Sequence, residues 1–383
     1  MKHLLTVIII VALASGALRA QSAQTPEQPK NEVVEWLTRV RPSNKKQTPA
    51  EEEAGRRFGR ELPTPEILQP VLDPSLPSYQ PRRDIKLNGT FKGACSDTMP
   101  ALVKLWIAAF AKYYPNVKIV VEPPFDSNFG AGELAKGNID FAIISRQLRP
   151  ENITDFRNRF GYDPLTVPIL NGSYRHFGFL DALGFFVNKD NPIEKISFDQ
   201  LDALLSSTRH RGAKPITTWG QLGLTNEWAD KPIHIYGIKP WDGIEDLIRQ
   251  RVLSYRGQRG EWRPDIQFDS VFPTAQRVAD DRYGFGYTGL SYIDASVKVL
   301  TLGESDNGPY YAPTYENIAL DRYPFNRVIF FNTNQPTAKQ LNPALAEFLR
   351  FILSKEGQQL VLDHAIFLPF RRAQVQHSLA LVR

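Results

Sequence analysis

From residue 85 onward the apolar positions follow two periods in turn. Over 99–113 they fall at 102, 105, 106, 109, 110 and 113, the spacing of a single helix face. Over 139–144, IDFAII, they are nearly continuous, which predicts a strand buried on both faces. The same reading predicts strands at 85–87, 117–121, 165–170, 182–187, 233–236, 284–287 and 328–332. It predicts helices at 129–136, 151–159, 198–207, 243–253, 274–281, 343–353 and 355–364. Strands alternating with helices describe an α/β protein with mostly parallel sheets. In such sheets a ligand sits at the carboxyl ends of strands.

Two strand ends stand out. The first runs into Ser96 and Asp97, either of which can cap the following helix, with Pro100 in its first turn. The second ends in a hydroxyl and a guanidinium, Ser145 and Arg146. Such ends line a cleft with donors and suit an anion or a polar solute. Ser96, Asp97 and a remote His176 could be combined into a nucleophile and base, but no GxSxG elbow or paired-carboxylate pattern supports catalysis. No enzyme activity and no cofactor are expected.

The chain opens differently. Lys2 and His3 precede an apolar run over 4–14, and small residues follow to Ala20, the layout of a secretory signal peptide. The run is too short for a stable membrane span, although an uncleaved anchor is the rival reading. Residues 21–84 are rich in Pro, Glu, Gln and Lys. Disorder is expected at 22–30, short helices at 32–40 and 51–62, then a proline-bearing arm. Ile67, Leu68, Val71 and Leu72 are its candidates for burial on the main domain.

Charge adds little. The chain of 383 residues has a formal charge of +5, and loss of residues 1–20 removes Lys2 and Arg19 and leaves +3. Basic residues are scattered, so nucleic acid is not an expected partner. The one cysteine, Cys95, cannot form an internal disulfide, and the six histidines show no metal-ligand spacing. A packed thiol is the favoured reading for Cys95.

Several short segments then occur in order. They are Cys95-Ser96-Asp97-Thr98, Asp126-Ser127-Asn128-Phe129-Gly130, and Asp140-Phe141-Ala142 with Ser145-Arg146. Leu180-Asp181-Ala182-Leu183, Gly284-Phe285-Gly286-Tyr287 and the terminal phrase FLRFILSKEGQQLVLDHAIFLPF follow. Together, over roughly 85–370, they resemble the phosphate-binding components of ABC transporters, in the periplasmic binding protein type 2 fold. The resemblance implies two lobes around a cleft, with 85–181 and 271–383 as lobe 1 and 182–270 as lobe 2. It implies ligand contacts at Ser96, Asp97, Thr98, Ser127, Ser145 and Arg146. Asp140 is expected to secure loop geometry.

One loop departs from the family. Its fourth binding loop reads Arg, two residues, then Gly-Ser-Gly-Thr. The matching stretch here is Ile238-Lys239-Pro240-Trp241-Asp242-Gly243-Ile244. Ile238 replaces the arginine, Asp242 the serine and Ile244 the threonine. Lys239 is the candidate replacement for the lost charge, as a mobile point charge rather than a planar fork. Asp242 suits a ligand that holds a proton. The expectation is therefore a soluble, monomeric periplasmic or secreted protein that captures phosphate or a similar small oxyanion for the membrane subunits of an ABC transporter. The alternative is a secreted sensor or interaction protein on the same fold that binds another solute or has lost phosphate binding.

Overall fold

The computed structural model describes residues 71–382 except 177–178, 241–242 and 337–338. The signal segment, the expectations for 21–70, and Trp241 and Asp242 lie outside the described residues.

The first lobe begins with strands β1 (Gly89–Cys95), β2 (Val117–Val121), β3 (Phe141–Ile144) and β4 (Leu165–Asn171). Between them run helices α1 (Pro100–Ala111), α2 (Ser127–Lys136) and α3 (Pro150–Phe160). The chain then builds a second sheet system from β5 (Leu183–Asn188), β6 (Lys195–Ser197), β7 (His234–Ile238), β8 (Gln267–Asp269), β9 (Gly284–Gly289), β10 (Val297–Val299), β11 (Thr301–Gly303) and β12 (Tyr310–Tyr311). Its helices are α4 (Phe198–Leu205), α5 (Gly243–Ile248), α6 (Thr274–Asp280) and α7 (Tyr315–Ala319). Strand β13 (Val328–Thr333) returns to the first sheet, followed by α8 (Pro343–Ile352), α9 (Lys355–His364) and α10 (Arg372–Leu381).

The first sheet has the order β2-β1-β3-β13-β4 and the second β10-β5-β9-β7-β8. Both are mixed in sense. Strand β1 is parallel to β2 and β3, whereas β13 is antiparallel to β3 and β4. In the second sheet β7 is parallel to β8 and β9, whereas β5 is antiparallel to β9 and β10. The apolar periods of individual strands carry no information on sense, so this replaces the mostly parallel arrangement within the expected two-lobed α/β architecture.

Two differences from the sequence reading concern boundaries. The opening strand lies at Gly89–Cys95 and not at 85–87, because Gly89 turns the chain at φ 124° and pairing with Val117 starts there. The return to the first sheet comes at Val328 and not near 271. Strand β9 pairs with β5 and β7, and its Phe285 and Tyr287 fill the core of the second sheet.

Strand β3 shows how period 2 divides one strand between two layers. Phe141 and Ile143 enter the core beneath α1, α8 and α9, while Ala142 and Ile144 pack with Leu134 and Phe156 of α2 and α3. Helix α1 buries Leu102, Val103, Trp106 and Phe110, and the Trp106 Nε1–H donates to the Gly357 carbonyl at 2.9 Å. Leu105, on the expected apolar face, stays exposed. The arm residues Leu76 and Tyr79 are buried on this lobe, and the Tyr79 hydroxyl donates to Glu347 Oε2 at 2.8 Å. Val71 is exposed and Leu72 only partly covered.

The chain crosses between the sheets twice, side by side. Gly172 N–H donates to the Arg327 carbonyl at 2.8 Å, and Leu183 N–H to the Phe325 carbonyl at 3.1 Å. Beside this crossing, Asp181 is fully enclosed and accepts from the Ser291 N–H at 2.7 Å and the Ser291 hydroxyl at 2.8 Å.

Candidate functional site

The carboxyl ends of β1 and β3 lie side by side because the two strands pair through Cys95 and Ile143. Ser96 N–H extends this pairing by donating to the Ile143 carbonyl at 3.0 Å. Ser96 is thereby fully buried at the strand end. Its Oγ accepts the Ser145 N–H at 2.9 Å and meets Ser127 Oγ at 2.6 Å. Ser127 Oγ is also 3.3 Å from Ser145 Oγ. Three hydroxyls from three separate segments therefore form one cluster.

Neither Ser96 nor Asp97 caps α1. The N-cap position belongs to Met99, without a side-chain cap bond, and Asp97 is exposed. The serine is drawn away by its bond to the β3 end. The first-turn N–H groups of α1 thus carry no capping side chain, which suits an anion. Thr98 Oγ1 is buried and without a hydrogen-bond partner among the described residues. Such a group costs free energy until something pairs with it. Helix α2 differs, because Asp126 Oδ1 accepts from the Asn128 and Phe129 N–H groups, both at 2.8 Å. Ser127 therefore offers its hydroxyl, while its helix end is already capped.

Arg146 is buried two residues past the end of β3. Its Nη2–H donates to Asn128 Oδ1 at 2.9 Å and its Nη1–H to the Gln147 carbonyl at 2.8 Å. Burial first, and then the charge of Arg149, pull the guanidinium down to about 10. It stays protonated at neutral pH in surroundings that disfavour its charge. An anion beside it would relieve that cost.

Asp140 secures the loop as expected, its Oδ2 accepting the Lys92 N–H at 2.8 Å. Cys95 is packed, 1% exposed, with its thiol pushed up to about 12 chiefly by burial. Lys239 does not join the cluster. It is exposed at the end of β7, where its N–H donates to the Asp269 carbonyl at 2.9 Å. Ile238, at the position of the family's arginine, is 1% exposed and part of the second core. His176 is partly covered beside Phe179, and desolvation lowers it to about 3. Among the described residues no group of three His, Cys, Asp or Glu could hold a metal ion.

Sequence reasoning missed Asn128, Arg149, Asn152 and Asp246. Arg149 Nε–H donates to Asp246 Oδ2 at 2.5 Å across the cleft, and Asn152 Oδ1 accepts the Arg149 N–H at 3.1 Å. Only the place of Asn128 inside the DSNFG loop gave any signal.

Comparison with known proteins adds a family-model match over residues 83–356, described as a PBP superfamily domain. A phosphate-binding protein PstS of Pseudomonas aeruginosa is 32% identical over 307 residues, covering 79% of this chain and 90% of that protein. A PstS of Staphylococcus epidermidis is 24% identical over 279 residues, covering 71% and 77%. The crystal structure of PstS from Borrelia burgdorferi superposes with a TM-score of 0.50 at 19% identity, covering 74% of this chain and 99% of that one, a likeness of fold.

Proposed function

The chain belongs to the PBP superfamily, and on that premise we propose that it is an extracytoplasmic solute-binding protein that captures phosphate through Ser96, Thr98, Ser127, Ser145 and Arg146. The observation that carries this reading is the convergence of the Ser96, Ser127 and Ser145 hydroxyls beside a buried guanidinium. Hydroxyls can donate to the ligand's oxygens and accept its proton, and Arg146 supplies a charge-assisted fork. Holding an oxyanion in this way needs no bond to be made or broken, so the protein delivers its ligand unchanged.

The named relatives of the chain are phosphate-binding proteins, which supports inorganic phosphate as the ligand and the membrane subunits of an ABC transporter as the recipient. The leader-like start at residues 1–20 supports export. No described helix is long and apolar enough to cross a membrane. The buried Ile238 at the fourth loop favours a second reading, in which the same cleft binds phosphate weakly or serves another solute. Asp242, by its place in the sequence, remains part of the proposal as acceptor of the proton of monohydrogen phosphate, whereas the exposed Asp97 and Lys239 are left out of the main contact set.

Calorimetric titration of the mature protein with phosphate, sulfate and a neutral sugar tests the proposal. Saturable heat with phosphate is the expected result. Absence of heat with phosphate, in folded protein stripped of ligand, would overturn it and favour the second reading.

A further inference from the structure

We propose that Arg149 and Asp246 form an interlobe latch that positions Arg146, so that closing the lobes and completing the anion site are one event. The inference rests on the oxyanion reading above. Arg149 stands at the N-cap position of α3, three residues beyond Arg146, on the first lobe. Asp246 lies in α5 on the second lobe, and its Oδ2 accepts from Arg149 Nε–H at 2.5 Å. Both side chains are mostly covered, at 20% and 11% exposure. This separates the pair from a surface ion pair, which contributes little. A looser contact, Arg259 Nη1 to Glu151 Oε2 at 3.9 Å, spans the same two lobes nearer the solvent.

The pair is wired to the anion site. Asn152 Oδ1 accepts the Arg149 N–H at 3.1 Å and lies 3.5 Å from Arg146 Nη1. Arg146 in turn reaches Asn128 of the second binding loop. A continuous path thus runs from Asn128 through Arg146, Asn152 and Arg149 to Asp246. Two guanidinium groups so near each other repel, and each needs a counter-charge. The second lobe brings one, Asp246, and the ligand brings the other. A cavity of about 40 Å³ lined by Ser145, Arg146, Asp246, Gln250 and Arg327 sits at this junction. When the lobes part, Arg149 loses its carboxylate and Arg146 is left facing a second cation. Arg149 and Asp246 are positioning residues, since they act on the ligand through Arg146.

The test uses the mature protein with Asp246→Asn, and Arg149→Gln as a second variant in case the first folds poorly. Stopped-flow phosphate binding is read together with small-angle scattering. The latch predicts a dissociation rate faster by about tenfold with an association rate changed by less than about twofold, as breaking one partner of a covered charge pair acts mainly on release. It also predicts a larger radius of gyration for the variants. Equal release rates in wild type and both folded variants would overturn the latch while leaving phosphate binding in place. If the wild type binds no phosphate, the functional reading fails and the latch is judged by scattering alone. A wider variant then supports it and an unchanged radius overturns it.

Discussion

Ser96 and Ser127 meet hydroxyl to hydroxyl at 2.6 Å, across 31 residues of sequence. Ser96 Oγ already accepts the Ser145 N–H. The two serines are therefore unequal, one a joint between strands and the other turned to the cleft.

That inequality separates two substitutions. Ser127→Ala is expected to weaken phosphate binding by about tenfold with melting temperature nearly unchanged, because it removes one hydrogen bond at a half-buried position. Ser96→Ala should weaken binding similarly and also lower stability by about 1–3 kcal/mol, since the Ser145 N–H is left buried and unpaired. Calorimetry and thermal melting on the two proteins check both halves.

Arg146→Ala is expected to reduce phosphate affinity by about a hundredfold or more, as removal of a buried charge partner costs about 3–5 kcal/mol. Lys239→Ala should change affinity by less than about threefold, because the ammonium is exposed and screened. Equal effects in side-by-side titrations would contradict the placement of the anion beside Arg146.

Asp181 gives a pH signature. Burial raises its carboxyl from the ordinary 3.8 to about 7, against the opposing bonds from Ser291. The folded protein thus holds a proton there that the unfolded chain releases, so this group makes stability fall as pH rises from about 4 to about 7. Asp181→Asn should remove that decline, leaving a flatter or rising profile. His176, lowered to about 3 by burial, acts with the opposite sign as pH falls below its ordinary 6.5. Urea denaturation at a series of pH values on both proteins measures the difference.

At the crossing between lobes, Gly172 has no room for a side chain. A Cβ there would lie 2.1 Å from the Leu180 carbonyl oxygen and 2.7 Å from Arg327 Cβ. Gly172→Ala should destabilise the protein by about 1–3 kcal/mol through forced backbone movement. An unchanged melting temperature would show that the crossing is looser than drawn.

Much of the first lobe was legible because its signals are local. The spacing in α1, the unbroken apolar run of β3 and the glycine ending α2 at Gly137 each follow from a few neighbouring residues. The hydroxyls of Ser96 and Ser145 were read from strand ends, and that of Ser127 came only with the family resemblance. The boundary at 328 was not legible. Short strands such as Val297–Val299 and Thr301–Gly303 carry too few residues to show a period, and their pairing is decided by tertiary packing. Nor was the contact between Arg149 and Asp246, since two charged residues 97 positions apart give no sign in sequence that they meet. The capping role expected of Ser96 failed for a related reason: a distant strand offered its side chain a better partner than the adjacent helix did.

The burial of Cys95 has a practical meaning. The protein's one sulfhydryl is sealed in the first core at the end of β1 and held in its unreactive form. Oxidants and alkylating reagents meet no competing thiol at the surface of the folded chain. A cysteine introduced at the rim of the cleft would be the only site labelled, and a fluorophore placed there would report opening and closing without prior removal of the native residue.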